Sequence, residues 1–185
     1  MIYSLSLETA LLLAGCILIV AHLAAFFQPE PVQGWLKAFP RSSFWGAVLI
    51  VAAGAWFWWL GMTMDLHEFS TWRPLLKFGV PVATFLTWRY VPEFLSVRAL
   101  GMLVLLGAEA VLEAAWQRPE LSRLWLVSLV YVWITAALFW VGMPYTLRDQ
   151  IGWATANSRR WNLLALGGVA YGVLLVLIRV LTLHR

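Results

Sequence analysis

The sequence is poor in charged residues and contains very little cysteine and histidine. Only 12% of its 185 residues are Asp, Glu, Lys or Arg, against about 25% in an average soluble domain. A single cysteine, Cys16, excludes a disulfide within one chain. Its three histidines, His22, His67 and His184, are dispersed along the chain, which argues against paired haem ligands. The shortage of charge places the chain outside the soluble class.

Signatures of common catalytic sites are also missing. The sequence has no G-x-S-x-G turn, no H-E-x-x-H motif and no glycine-rich phosphate loop. Its 13 basic residues give a net charge of +4, but they are scattered and form no basic tract, so nucleic acid is not an expected partner. These absences argue against an enzyme. An intramembrane enzyme that acts on lipid is kept only as the third interpretation, after a binding subunit and a transporter.

Long apolar runs are abundant, and hydrophobic residues make up 62% of the chain. We predict an all-α fold, a polytopic integral membrane helical bundle that forms one domain over residues 1–185. Five or six transmembrane helices of about 20 residues fill a chain of this length. Many of the 13 Trp stand near predicted helix ends, as in the aromatic belts of a membrane interface.

The segment at about 75–91 leaves the number of spans open. Only eleven uncharged residues lie between Lys77 and Arg89, and Pro81 interrupts them. If both cations snorkel, the segment reaches about 17 residues. It is therefore either a short, kinked third transmembrane helix, which we favour, or a re-entrant segment.

A second short helix is predicted at about 145–156. Leu147, Ile151 and Ala154 share one face there, which is typical of an interfacial amphipathic helix. The basic residues Arg148 and the pair 159–160 favour a cytoplasmic location for this loop.

Two carboxylates, Glu109 and Glu113, stand inside the predicted central helix at 98–116. They are four residues apart on one face, which should look into protein and not lipid. Two charges this close in a medium of low dielectric require a proton, a bound cation or a basic partner. Arg98 shares the face but lies about 16 Å along the axis from Glu109. Glu109, Glu113 and the intramembrane His22 are candidates for a proton or ion site, and a buried, hydrogen-bonded structural acid is the interpretation that we favour.

Small residues predict close helix contact on two spans. Gly168 and Gly172 form a G-x-x-x-G spacing in the last span. In the first span the small residues come in pairs four positions apart, namely Ala10, Ala14, Ala21 and Ala25. Packing within the bundle is expected, and dimerisation through the glycines is the alternative.

The loop after the second span holds the only weak candidates for a metal site, Asp65, His67 and Glu68. It lacks the H-x-x-x-H spacing that places two imidazoles on one helical face, so no metal is expected. No motif implies a cofactor, although bound lipid is expected.

Together these features favour a small integral membrane protein that acts by binding. We expect an accessory, assembly or scaffold subunit of a larger membrane complex, with the lipid bilayer and other membrane protein subunits as partners, in a bacterial inner membrane. The alternative is a proton- or cation-coupled transporter that uses Glu109 and Glu113.

Overall fold

The computed structural model describes residues 3–182, which form eight α-helices and two short 3-10 helices. The α-helices are α1 (Leu7–Phe27), α2 (Pro29–Ala38), α3 (Ser43–Thr63), α4 (Arg73–Tyr90), α5 (Leu95–Ala115), α6 (Arg123–Gly142), α7 (Tyr145–Thr155) and α8 (Ser158–Thr182). The described residues contain no strand. The prediction of an all-helical membrane bundle is confirmed.

Short polar residues and prolines determine where the first helices begin and end. The Oγ atom of Ser6 accepts a hydrogen bond from the N–H of Thr9 and caps α1. Ser42 caps α3 in the same way, with the N–H of Trp45 as donor. Pro29 follows α1 and becomes the first residue of α2, because its missing N–H is tolerated in a first turn.

Five helices, α1, α3, α5, α6 and α8, are long and apolar enough to cross a membrane. Helix α4 is not among them, because it has 18 residues and carries Arg73, Lys77 and Arg89. Helix α7 spans almost the whole of the predicted interfacial segment, and its Ile151 is buried.

Contacts at the glycines show that α4 nevertheless runs the length of α3. Gly61 of α3 faces Leu76 of α4, and Gly54 faces Thr84, so the two helices are antiparallel. Gly46, near the start of α3, faces Leu95 at the start of α5, so α3 and α5 are parallel. Helix α4 therefore runs back beside α3 as one continuous helix of 18 residues, which favours the short third helix over the re-entrant segment.

The bundle has two ends, which we name the terminal side and the platform side. The terminal side is the end at which α1 begins and α8 ends. Arg179 and Glu8 form an ion pair of 2.8 Å there. The platform side is the opposite end, where α2 and α7 lie and where the indole N–H of Trp161 donates to the carbonyl of Ala25. Because α1 and α8 are antiparallel, the described ends of the chain share the terminal side.

The main core lies where α1, α5, α6 and α8 meet. Leu11, Leu126 and Leu175 are the largest fully buried side chains there. The pair α3 and α4 lies beyond α5, and α4 contributes no buried residue. This arrangement leaves α5 at the border between a packed half and a loosely packed half of the molecule.

Candidate functional site

Glu109 lies near the terminal side of α5. It stands six residues before Ala115, where the helix ends, so it is about 9 Å from that end at 1.5 Å per residue. The chain leaves the helix there because Gln117 adopts a left-handed conformation, with φ of 55°. Glu109 is therefore two thirds of the way along α5 and not at its midpoint.

The side chain of Glu109 is exposed. Within residues 3–182 it accepts no hydrogen bond and forms no ion pair. The sequence predicts that this face of α5 looks into protein, but the described chain leaves it open beside α6. Arg98 is remote from the carboxylate, because its guanidinium donates to the carbonyl of Val141 at the platform end of α6.

Glu113 is half-buried and is contacted by the segment before α1. Its Oε2 atom accepts a hydrogen bond of 3.1 Å from the backbone N–H of Tyr3. The hydroxyl of Tyr3 in turn accepts a 2.8 Å bond from the indole N–H of Trp56, and its ring packs on Trp59. The start of the chain thus ties α5 to α3 at the terminal side.

The Tyr3 hydroxyl experiences the field of both carboxylates. Burial raises the pKa of this hydroxyl above its ordinary value despite the bond from Trp56, which lowers it. The nearby charges of Glu109 and Glu113 raise that pKa further. The phenol therefore keeps its proton at neutral pH and remains a hydrogen-bond donor beside the two acids.

A cavity of about 880 Å³ lies between α5 and α6 and is open at the surface of the bundle. Its polar or aromatic lining consists of Glu109, Glu113, Trp116, Arg123 and Tyr131. The rest of the wall is aliphatic and comes from both helices. We name this cavity the α5–α6 groove.

A second cavity, of about 430 Å³, lies between α5 and the pair α3 and α4, and it too is open at the surface. Thr84 and Thr87 of α4 line it together with Phe57 of α3. Glu109 and Leu105 line both cavities. The Glu109 carboxylate therefore stands at the border between two spaces that flank one helix.

The structure does not bring His22 to the two carboxylates. His22 lies near the platform end of α1, 15 residues after Leu7, or about 22 Å along the helix. Its Nδ1 atom donates to the carbonyl of Leu18, and its ring covers Gly168 of α8. His22 lines a separate cavity of about 430 Å³ with Trp161. It thus belongs to a different site from the glutamates.

The metal candidates Asp65, His67 and Glu68 lie in an exposed turn after α3. The His67 ring is 3.6 Å from the Asp65 carboxylate, and both side chains are about four-fifths exposed. No group of three His, Cys, Asp or Glu side chains converges among residues 3–182. His184 lies outside the described residues.

The small residues predicted to pack lie along the α1–α8 contact. Gly172 is so close to α1 that a Cβ atom there would meet the carbonyl of Gly15 at 2.8 Å. Ala10 and Ala14 are buried in the main core. Ala25 is half-buried, whereas Ala21 is exposed and lines the cavity of His22.

Several residues of the site were not predicted from the sequence. The contact of Gly101 with Val141 sets the antiparallel register of α5 and α6, and this register places Tyr131 at the level of Glu109. Because the turn between these helices is short, they are expected to be neighbours. Their antiparallel pairing could therefore have placed Tyr131 near Glu109 from the sequence. The sequence gives no such indication for Tyr3, because nothing around this residue indicates that it folds back onto Glu113.

No protein-family model, curated protein or solved structure matches this chain. The geometry of the helices and of the cavities around Glu109 is therefore the basis on which a function is assigned.

Proposed function

We propose that this protein acts by binding, as an accessory, assembly or scaffold subunit of a larger membrane complex. The observation that carries this proposal is that α4, which runs beside α3, buries no residue. It is a marginal span because three cations lie within its 18 residues. The cost of a Lys or Arg reaches about 3 kcal/mol only at the centre of a transmembrane helix, and Lys77, one turn inside α4, bears a part of it. A neighbouring subunit that packs on α4 would replace lipid around this helix and lower that cost.

The proposed partners are other membrane proteins, within the lipid bilayer. We place the complex in a bacterial inner membrane, because long apolar helices are the architecture of that membrane, whereas bacterial outer-membrane proteins are closed barrels. The platform side carries the cluster of Arg148, Arg159 and Arg160 in one connection, so it is assigned to the cytoplasm.

Site-specific photo-crosslinking in native membranes tests the subunit proposal. Benzoylphenylalanine would replace Phe85 on α4, which is 57% exposed, and Val20 on α1, which is 68% exposed, as a control at a similarly open position. We expect a discrete protein adduct from position 85 and none from position 20. Adducts with lipid alone at position 85, or equal protein adducts from both positions, would contradict the proposal.

A second candidate function is a proton- or cation-coupled carrier. The specific observation in its favour is that Glu109 borders two cavities and has no partner within residues 3–182. An ionisable side chain at this depth is costly unless it serves a pathway or a partner. Glu109 would hold the proton or cation, and Glu113 would add to the negative field.

Flux measurements in reconstituted vesicles test the carrier candidate. The measurement is proton or monovalent-cation flux driven by an imposed potential, for the natural chain and for Glu109→Gln. Glu93→Gln is the control, because Glu93 is exposed in the turn before α5. Loss of flux in the Glu109 variant alone supports the candidate. Absence of flux in the natural chain, or unchanged flux in Glu109→Gln, eliminates it.

A further inference from the structure

The α5–α6 groove has the length of one membrane leaflet. Its lining extends along α5 from Leu105 to Trp116 and along α6 from Arg123 to Ile134. Each stretch advances by eleven residues, or about 16 Å, and half of a hydrocarbon layer is about 15 Å thick. Because the two helices are antiparallel, Trp116 and Arg123 lie together at the terminal side, and the groove ends near mid-membrane at Leu105 and Ile134.

The lining changes in character along this length. Its inner end is aliphatic, its middle holds Glu109 and Tyr131 at one level, and Glu113 lies about one turn nearer the mouth. Among the described residues, Arg123 is the only cation in the lining, and it stands at the mouth, where it begins α6. Two carboxylates inside and one guanidinium outside favour a positive group within the groove and disfavour a negative one.

The walls indicate that the positive group belongs to a molecule with a hydrocarbon part. A volume of about 880 Å³ lies within the range of small-molecule sites, which is about 300–1,000 Å³. A proton or a metal ion makes no use of aliphatic walls such as Leu105 and Ile134, which line the inner end of the groove on both helices. Tyr131 and Trp116 are 59% and 66% exposed, and aromatic faces attract organic cations.

We propose that the α5–α6 groove binds an amphiphilic organic cation of the alkylammonium class. This inference rests on the cation-binding candidate above and names the ligand of that same site. The ammonium group lies against the Glu109 carboxylate, and the hydrocarbon chain extends toward Leu105 and Ile134. Glu113, which accepts a hydrogen bond from Tyr3, contributes to the negative field. Leu124 and Tyr131 in the lining are exposed along the side of α6, so the ligand can enter from the lipid.

The test is equilibrium binding of radiolabelled dodecyltrimethylammonium to the full chain in lipid nanodiscs, with protein-free nanodiscs as the background. Unlabelled dodecyltrimethylammonium, dodecyl maltoside and dodecyl sulfate serve as competitors with the same chain and different head groups. We expect saturable binding that only the cation displaces. Competition by the maltoside as effective as that by the cation, preference for the sulfate, or binding no greater than to empty nanodiscs would each overturn the proposal.

Variants locate the binding within the groove. Glu109→Gln should weaken binding at least tenfold, while Glu109→Asp, which keeps the carboxylate, should retain most of it. Val127→Trp fills the groove while keeping both acids in the chain and should also abolish binding. Glu93→Gln is the matched control and should bind like the natural chain. Unchanged binding in both Glu109→Gln and Val127→Trp places the cation elsewhere and overturns the assignment.

Comparison with the flux assay separates this inference from the carrier candidate. Saturable cation binding without flux would eliminate the carrier and leave the binding site standing. Proton flux that depends on Glu109, without any selective binding of dodecyltrimethylammonium, would keep the carrier and refute the ligand class.

Discussion

The indole N–H of Trp58 in α3 donates a 3.0 Å hydrogen bond to the backbone carbonyl of Lys77 in α4. In an uninterrupted helix that carbonyl accepts from the residue four positions later, which here is Pro81 and has no N–H. An unsatisfied carbonyl inside a membrane costs several kcal/mol, since no water is available. The neighbouring helix thus supplies the donor that the proline removes.

Trp58→Phe should lower the free energy of unfolding by about 1 kcal/mol, the usual net contribution of one hydrogen bond. In a Pro81→Ala background the same substitution should have almost no effect, because an alanine at that position would provide the missing N–H. The measurement is reversible unfolding in mixed micelles for the natural chain, both single variants and the double variant. Equal losses from Trp58→Phe in the two backgrounds would show that the indole does not compensate for the proline.

The same relationship recurs at the platform end of α1. The carbonyl of Ala25 would be paired with position 29, which is proline, and it accepts a 2.8 Å bond from the indole of Trp161 instead. The sequence interpretation assigned most Trp to interfacial belts. For Trp58 and Trp161 the structure adds a contact between helices, which the sequence could not indicate because the partner is remote in the chain.

Gly172 provides a test of how α1 packs on α8. Its α-carbon lies against the backbone of Gly15 and Ile19, and a Cβ atom there would approach Gly15 to 2.8 Å. We expect Gly172→Ala to destabilise the protein by about 1–3 kcal/mol, as overpacking does. Thermal unfolding in detergent, followed by intrinsic fluorescence, measures the effect.

Gly167 is the matched control on the same helix. Nothing lies within 4 Å of a Cβ atom built at Gly167, so Gly167→Ala should leave stability unchanged or raise it slightly through helix propensity. If the two alanine variants unfold alike, the α1–α8 contact is not as close as described.

The ends of the bundle differ in charge. Among residues 3–182 the platform side holds seven basic and three acidic residues, an excess of +4, whereas the terminal side holds five basic and six acidic residues. Arg185 lies outside the described residues and is not in this count, so we base the proposed cytoplasmic location of the platform side on the cluster of Arg148, Arg159 and Arg160 in one connection. Both described ends of the chain should then face away from the cytoplasm.

Cysteine labelling tests this topology together with the crossing of α4. In a Cys16→Ser background, single cysteines at Ser70 and Glu93 lie on either side of α4. A membrane-impermeant maleimide should label position 70 from outside intact cells and should label position 93 only after lysis. Labelling of both positions from the same side would mean that α4 does not cross.

Much of the architecture could be predicted from the apolar runs, including the helical class, the five clear spans and the short interfacial helix at Tyr145–Thr155. The role of α4 required its contacts with α3, because hydropathy does not distinguish a thin span from a re-entrant segment. The separation of His22 from Glu109 also required tertiary structure. Helical spacing indicates which side chains share a face of one helix. It does not show which residues of two different helices lie at the same end of the bundle.

Carboxyl labelling from within the bilayer tests most directly the claim that Glu109 is an open, reactive group on a membrane-facing groove. The membrane-soluble reagent dicyclohexylcarbodiimide would be added to the protein in nanodiscs, and modified residues would be identified by mass spectrometry. The structure predicts rapid modification of Glu109, slower modification of Glu113, and protection of Glu109 by dodecyltrimethylammonium. A Glu109 that remains unmodified while Glu113 reacts would contradict it.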